Sequence, residues 1–306
     1  MQRKFIIAID LGGTNLKAGL FDNFYKLKFK ESLNTQRFSD KKGLISAIVS
    51  SIERIIYRNK LTITEILGIG VGLLGPVDHA SGVVHFLPNI PGWKEVKLKS
   101  ILQNKLHIPV ALDNDAKLMC LAELKLGAAK GFANVLCVTL GTGVGSGLVI
   151  NGRLYRGANN ASGEIGHMPL NEGGPRCNCG RVACLEAYVG NSRIVNDARK
   201  IFRRNIGLEE LSMLARKNNK KALNIWFNTG EHLGIALSGI INLLNLDAVV
   251  IGGGVSNAGA VLFNSIKKTV RKRAMAVQGN HVKILQAHFK ADAGLMGAAV
   301  LVKEGN

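Results

Sequence analysis

Acidic residues are scarce in this chain. Its 21 Asp and Glu stand against 40 Lys and Arg, leaving a formal net charge of +19 over 306 residues. Such a balance raises nucleic acid or another polyanion as a partner. Aromatic residues are scarce too, at 6%, and they do not interleave with the basic clusters at 199–204, 217–221 and 267–273. Without a platform on which bases could stack, nucleic acid is not an expected partner. The cations read as solvated helix faces, with docking of an anionic chain as the lesser alternative. No apolar run approaches the roughly twenty residues of a membrane span, so no membrane partner is expected. The opening M-Q-R-K-F-I-I-A-I-D meets an acid at once and lacks the apolar core and cleavage site of a signal peptide. These absences point to a soluble cytoplasmic protein. With 47% hydrophobic residues, the chain is long enough for two domains with a core each.

What is present is ordered and repeats. Phe5–Asp10 is a buried-strand run that ends at an acid, turns through L-G-G-T-N and returns over Leu16–Phe21, which predicts a hairpin. Tyr25–Lys30 alternates with period two, a third strand. A helix over Lys42–Asn59 follows, then a buried strand over Ile66–Leu73 ending in Gly75-Pro76. A further strand over Val110–Leu112 delivers Asp113-Asn114-Asp115 to a helix over 116–127. The order is β-β-β-α-β-α-β-α. The pattern begins again with a strand over Val135–Leu140, a glycine turn over Gly141–Gly147 and a returning strand. Helices over 188–204, 208–217 and 220–245 come next, then a strand over Ala248–Ile251 ending in Gly252-Gly253-Gly254, and helices over 259–275 and 292–303. Two halves that both open strand, glycine turn, strand predict a duplicated α/β unit with a cleft between the copies.

Within the second half, after its returning strand, lies Glu164–Glu186, E-I-G-H-M-P-L-N-E-G-G-P-R-C-N-C-G-R-V-A-C-L-E. It holds Cys177, Cys179 and Cys184, three of the five cysteines, with His167 upstream. Three thiolates and an imidazole match the tetrahedral shell of a structural zinc, and the Gly and Pro residues let the loop fold back on itself. The alternatives are a disulfide with a spare thiol, or unrelated cysteines. Cys120 and Cys137 lie in apolar stretches and read as core.

Four other stretches can carry chemistry. Asp10-Leu11-Gly12-Gly13-Thr14-Asn15 sets a carboxylate and open amides where phosphate oxygens and Mg²⁺ could sit; the alternative is a hairpin turn that needs Gly for its dihedrals. Leu140–Gly147 repeats the arrangement. It is no Walker loop, since no Gly-Lys-Ser/Thr follows, and no dinucleotide fingerprint, since a strand follows rather than a helix. Gly252–Gly254 could admit a base or ribose, or could serve packing alone. Asp115 is the best general base for phosphoryl transfer to an alcohol, with Asn114 beside it for a neighbouring hydroxyl; the alternative is that D-N-D is a helix cap. The loop Asn89-Ile90-Pro91-Gly92-Trp93 has an amide and an aromatic of the kind that suits a sugar, although alone it reads as an ordinary loop.

D-L-G-G-T-N at 10–15, D-N-D-A at 113–116, L-G-T-G-V-G-S-G at 140–147, E-I-G-H at 164–167 and C-N-C-G-R-V-A-C-L-E at 177–186 together resemble the ROK family of sugar kinases and repressors. The motifs come in the family's order over nearly the whole chain. Ala183 departs from it, since the family usually has Gly there.

The resemblance implies an actin-like, ribonuclease-H-like duplicated α/β fold. Residues 1–115 would form a small domain joined by the C-terminal helix 292–306, and 116–291 a large one carrying the zinc loop 164–186. It implies ATP, Mg²⁺ and phosphorylation of a hexose, most simply glucose to glucose 6-phosphate, with Asp115 as base. Gly75, Asn89, Asn114, Glu164, His167 and Glu186 would bind the sugar, and His167 would touch zinc as well. Asp10, Gly12, Gly13, Thr14, Asn15, Lys17, Gly141, Thr142 and Gly143 would handle phosphates and Mg²⁺, and Gly253 and Gly254 the adenosine. The alternatives are a kinase for N-acetylmannosamine, N-acetylglucosamine, fructose or allose, a polyphosphate-using glucokinase, and a sugar-responsive regulator lacking its DNA-binding segment. The family often forms homodimers.

Overall fold

The computed structural model describes residues 4–35, 38, 40–87 and 90–304. In chain order its strands and helices begin with β1 (Phe5–Leu11), β2 (Asn15–Asp22), β3 (Leu27–Asn34), α1 (Lys41–Arg58) and β4 (Ile66–Leu73). Three short strands follow, β5 (Val77–Asp78), β6 (Val83–Phe86) and β7 (Lys94–Val96), then α2 (Leu98–Leu106), β8 (Val110–Asn114) and α3 (Asp115–Leu126). The second half has β9 (Val135–Leu140), β10 (Val144–Ile150), β11 (Arg153–Tyr155), α4 (Glu186–Val189), α5 (Asn191–Phe202), α6 (Leu208–Arg216) and α7 (Lys220–Leu244). It closes with β12 (Ala248–Gly252), α8 (Ala260–Arg273), α9 (Ala276–His281), β13 (Lys283–Gln286) and α10 (Ala293–Glu304). Among the described residues no helix is long and apolar enough to cross a membrane.

The chain divides into two compact units. The first holds residues 1–125, 156–162 and 291–306, and the second 126–155 and 163–290. Its sheet order β3-β2-β1-β4-β8 is matched in the second by β11-β10-β9-β12-β13. In each, an antiparallel trio abuts two parallel strands: β1 pairs antiparallel with β2 and parallel with β4, as β9 does with β10 and β12. The duplicated mixed-sheet α/β unit read from the sequence is present.

In the first unit β1 is apolar from Phe5 to Ile9 because both of its faces are covered there, and Ile6, Ile7, Ala8 and Ile9 have no exposed surface. β4 solves the same problem differently. Ile69, Val71 and Leu73 fill the core beside α1, while Gly70 faces α10 so closely that a methyl group there would overlap the Ala298 backbone. The C-terminal helix therefore seats backbone to backbone on the sheet. In the second unit α7 buries Trp226 completely within a core shared with α8.

Several elements differ from expectation. The division falls after Lys125, beyond the expected boundary at 115/116, and it returns Arg156–Ser162 to the first unit. Helix α3 stays there because Leu118 packs under Gly72 of β4 and its backbone lies against Gly297 of α10. The helix expected over 188–204 breaks at Gly190, which is extended at φ −66 and ψ 152. The small sheet β5-β6-β7 and strand β13 were not read from the sequence. They run two to four residues each, too short to show a period.

Candidate functional site

The first unit assembles one group of candidate residues at the ends of its central strands. The β1–β2 register sets Asp10 opposite Lys17, and Gly72 of β4 links that row to Asp113 on β8. Lys17 Nζ lies 3.8 Å from Asp10 Oδ2 and also donates to the Ala291 carbonyl. The Gly12 amide donates to Asn15 O at 2.9 Å, closing the turn, and Gly13 O accepts from the Thr35 hydroxyl. Thr14 and Asn15 are exposed and touch each other, Nδ2 to Oγ1 at 3.3 Å. Burial pushes the Asp10 carboxyl above its usual value, opposed by Lys17 and reinforced by Asp292. Space is tight behind it, since a methyl group on Gly294 would come 2.6 Å from Asp10 Oδ1.

Asp115 opens α3 at the end of β8. Burial, then the charge of Asp10, raises its carboxyl to about 7. The competing helix-cap reading is met by Asn114, whose Oδ1 accepts from the amides of Ala116 (3.0 Å) and Lys117 (3.4 Å). Asp115 Oδ1 also accepts from Ala116 N, at 2.8 Å. Asn114 Nδ2 donates to the Gly75 carbonyl at 3.1 Å, so the two expected sugar contacts Asn114 and Gly75 are joined directly. Asn89 lies outside the described residues.

The second group lies in the second unit. A single 3₁₀ turn over Ile165–His167 follows Glu164, which is exposed. His167 Nδ1 stands 3.8 Å from Cys177 Sγ, and Cys179 Sγ stands 3.7 Å from Cys184 Sγ. All four donor atoms fall within 4.8 Å of one another. With Zn–S near 2.3 Å, tetrahedral geometry places sulfurs about 3.8 Å apart, so the spacing fits a metal and is far beyond a disulfide bond. None of the five cysteines is in a disulfide. Burial pushes the Cys177 thiol up to about 12 and raises Cys184, whereas the Arg181 amide lowers Cys179. The cluster thus resists forming three thiolates unless a cation compensates them. Ala183, buried beside it, holds a left-handed φ of 58, a backbone that Gly would adopt without penalty.

Glu186 ties this cluster to the glycine turn. Its Oε2 accepts from Val144 N at 2.9 Å, and its Oε1 lies 3.6 Å from Cys177 Sγ. Gly143 has no room for a side chain beside that carboxylate. Gly141 and Gly254 are open, with nothing within 4 Å of an added methyl group, and Thr142 is exposed. Gly253 is the opposite case: at φ 84 it packs against the Leu140 backbone, and a methyl group would overlap the carbonyl oxygen. The packing reading suits Gly253, whereas the Gly254 backbone is free to meet a ligand.

Sequence reasoning missed Arg156. Its guanidinium holds the buried Asp113 carboxylate, Nη2 to Oδ2 at 2.9 Å, from 43 residues away. No local pattern around Arg156 marks it.

A family model described as the ROK family matches residues 6–305. The chain belongs to the ROK family. A glucokinase of Halalkalibacterium halodurans is 31% identical over 99% of this chain and 96% of its own. A xylose repressor of Bacillus spizizenii is also 31% identical, over 84% of this chain and 66% of its own length. Among solved structures, a ROK family glucokinase from Streptomyces griseus in complex with glucose and AMPPNP superposes with a TM-score of 0.83 at 28% identity, covering 97% of this chain and 98% of its own. The mixed-sheet duplication described above is therefore the actin-like ROK sugar-kinase fold.

Proposed function

We propose that the protein is an ATP-dependent hexose kinase, most simply converting glucose to glucose 6-phosphate, with Asp115 as general base. The observation that carries this reading is the half-buried Asp115 carboxyl, which opens α3 directly after β8 and is raised to about 7 by desolvation and the Asp10 charge. A base poised near the working pH combines availability with driving force. In the proposed reaction Asp115 takes the proton of a sugar hydroxyl as its oxygen attacks the γ-phosphorus of ATP. The bond from that phosphorus to the bridging oxygen breaks, and ADP leaves with the electron pair.

Asn114, Gly75, Asn89, Glu164 and His167 would hold the sugar. Glu186 already accepts the Val144 amide at Oε2 and faces Cys177 Sγ with Oε1, so in this reading it orients the glycine turn and turns Oε1 to the sugar once the Cys177 thiol is given up to zinc. Gly12 to Asn15, Lys17 and Gly141 to Gly143 would meet the phosphates, and Gly254 the adenosine side. A cation suits Asp10, whose partly buried carboxyl is neutralised only in part by Lys17. Mg²⁺ held there would offset charge on the transferring phosphoryl group. Zinc held by His167, Cys177, Cys179 and Cys184 would fix the shape of the loop that carries the sugar contacts. The proposal places the protein in the cytoplasm, as a homodimer.

The test is a coupled ADP-release assay with ATP and Mg²⁺ over glucose, fructose, allose, N-acetylmannosamine and N-acetylglucosamine, repeated with polyphosphate as donor. Strong turnover of one sugar is the expected result and names the substrate. The repressor relative supports a second reading, a sugar-responsive regulator. Sugar binding by calorimetry with no turnover across the panel would favour it.

A further inference from the structure

Asp113 ends β8 two residues before Asp115, and only 1% of it is exposed. A carboxylate so deep requires a countercharge and hydrogen bonds. Arg156 provides the first, its Nε and Nη2 reaching Asp113 Oδ2 at 3.2 and 2.9 Å. His79 Nδ1 faces the same oxygen at 3.9 Å and lies 2.8 Å from Leu112 O. The other oxygen, Oδ1, accepts the Asn114 amide at 2.9 Å. Asn114 then caps α3 through Ala116 and Lys117 and reaches Gly75. An unbroken series of hydrogen bonds runs from Arg156 to the peptide that bears Asp115.

Arg156 arrives from an unusual place. It opens the segment Arg156–Ser162, which belongs to the first unit although the chain on either side of it belongs to the second. The segment closes on itself, Ser162 N to Arg156 O at 3.0 Å. It is pinned by Asn160, whose Nδ2 donates to Asp78 Oδ1 at 2.9 Å and whose carbonyl accepts from the buried Lys117 ammonium. Three anchors fix a seven-residue detour to the elements around Asp115, and the proposed reaction assigns the detour no task.

We infer that Arg156 is a positioning residue for phosphoryl transfer. By holding Asp113 it fixes the Asn114 peptide, and through it the direction in which Asp115 presents its carboxyl. The inference rests on the reading of Asp115 as general base. Loss of the guanidinium alone strands a buried carboxylate two residues from that base, and the strand end must then move to admit water.

The experiment compares Arg156→Gln, Arg156→Lys and the double variant Asp113→Asn with Arg156→Gln. It reads kcat and KM on the best substrate of the unmodified protein, and amide hydrogen exchange at Asn114, Ala116 and Lys117. Arg156→Gln should lower kcat by roughly 100-fold, the scale of an ångström misplacement, with KM for ATP changed less than about threefold. Exchange at the three amides should quicken while that of β1 and β4 stays unchanged. Arg156→Lys should recover part of the loss. The double variant should recover more, since a neutral amide at position 113 no longer needs a cation. A folded Arg156→Gln protein with kcat near that of the unmodified chain overturns the inference, whether or not exchange quickens. If Arg156→Gln does not fold, Arg156→Lys carries the same comparison. If the unmodified protein turns over no sugar, the kinase reading fails by itself, and slow, unchanged exchange in the variants would still refute the ordering role of Arg156.

Discussion

Replacing Asp115 with Asn should remove activity and make the protein more stable, and the gain should depend on pH. The Asp115 carboxyl rises from 3.8 to about 7 on folding, first through burial and then through the Asp10 charge. A carboxyl raised in this way is favoured as the neutral acid in the folded state. Its contribution is fully present below the unfolded value of 3.8 and is lost as pH climbs through about 7. At about 1.36 kcal/mol per pKa unit, the full penalty above that point is roughly 4 kcal/mol. An amide at position 115 keeps an oxygen for the Ala116 amide and carries no charge to desolvate.

Allowing for relaxation around the site, Asp115→Asn should stabilise the protein by about 2–4 kcal/mol at pH 8, or on the order of 5–10 °C in Tm for units of this size. By pH 5.5 the gain should fall to about half, because the native carboxyl is then mostly protonated. Scanning calorimetry without Mg²⁺, at both pH values, measures this. In parallel, kcat/KM of the unmodified enzyme should climb about tenfold per pH unit below 7 and level off above it. The variant should lose about 10²–10⁴ in kcat. A variant that melts at or below the parent at pH 8, or with a pH-independent increment, refutes the raised-carboxyl argument. So does a flat kcat/KM between pH 5.5 and 7.

If zinc fills the cluster of His167, Cys177, Cys179 and Cys184 as proposed, removing it should loosen the second unit. Chelation or Cys184→Ser should lower Tm by several degrees and weaken sugar binding, with zinc content falling from one per chain by elemental analysis; a stable chelated protein with unchanged sugar affinity would contradict this. Gly253→Ala should cost about 2–3 kcal/mol, because it is strained at φ 84 and overlaps Leu140. Gly254→Ala, in open space, should leave Tm within about 2 °C while raising KM for ATP roughly tenfold. Equal thermal effects at the two positions would refute the distinction between them. Glu186→Gln should raise KM for sugar and ATP together, since one carboxylate serves both the metal loop and the glycine turn; a change confined to the sugar would show that the Val144 bond is dispensable.

How much of this was legible in the sequence depends on how far apart the interacting residues lie. The repeated hairpin with its glycine turn could be read because β1, β2, β9 and β10 are six to eight residues long and show buried runs. β13 has four residues and one buried side chain, Ile284, and nothing in that pattern separates a strand from a loop. The same rule holds in the site. Cys177, Cys179, Cys184 and His167 come from one short loop, so their convergence follows from spacing and turn residues.

Roles set by contacts across the fold were hidden. Gly253 and Gly254 are identical in sequence terms, yet one is wedged against the neighbouring strand and the other is open. Glu186, expected as a sugar ligand, also binds the Val144 amide 42 residues upstream. Asp113, Asn114 and Asp115 read as one motif, but the structure gives them three tasks: Asp113 takes the Arg156 cation, Asn114 caps the helix, and Asp115 is left half-buried with no ion pair among the described residues, so that desolvation and Asp10 outweigh its local hydrogen bonds. That division makes chemical sense of three adjacent polar residues. If Asp115 capped the helix or paired with Arg156, its carboxyl would be held low and would be a poor base at neutral pH. Its neighbours take up the cation and most of the cap bonds, and the carboxyl proposed to move a proton is raised to about 7.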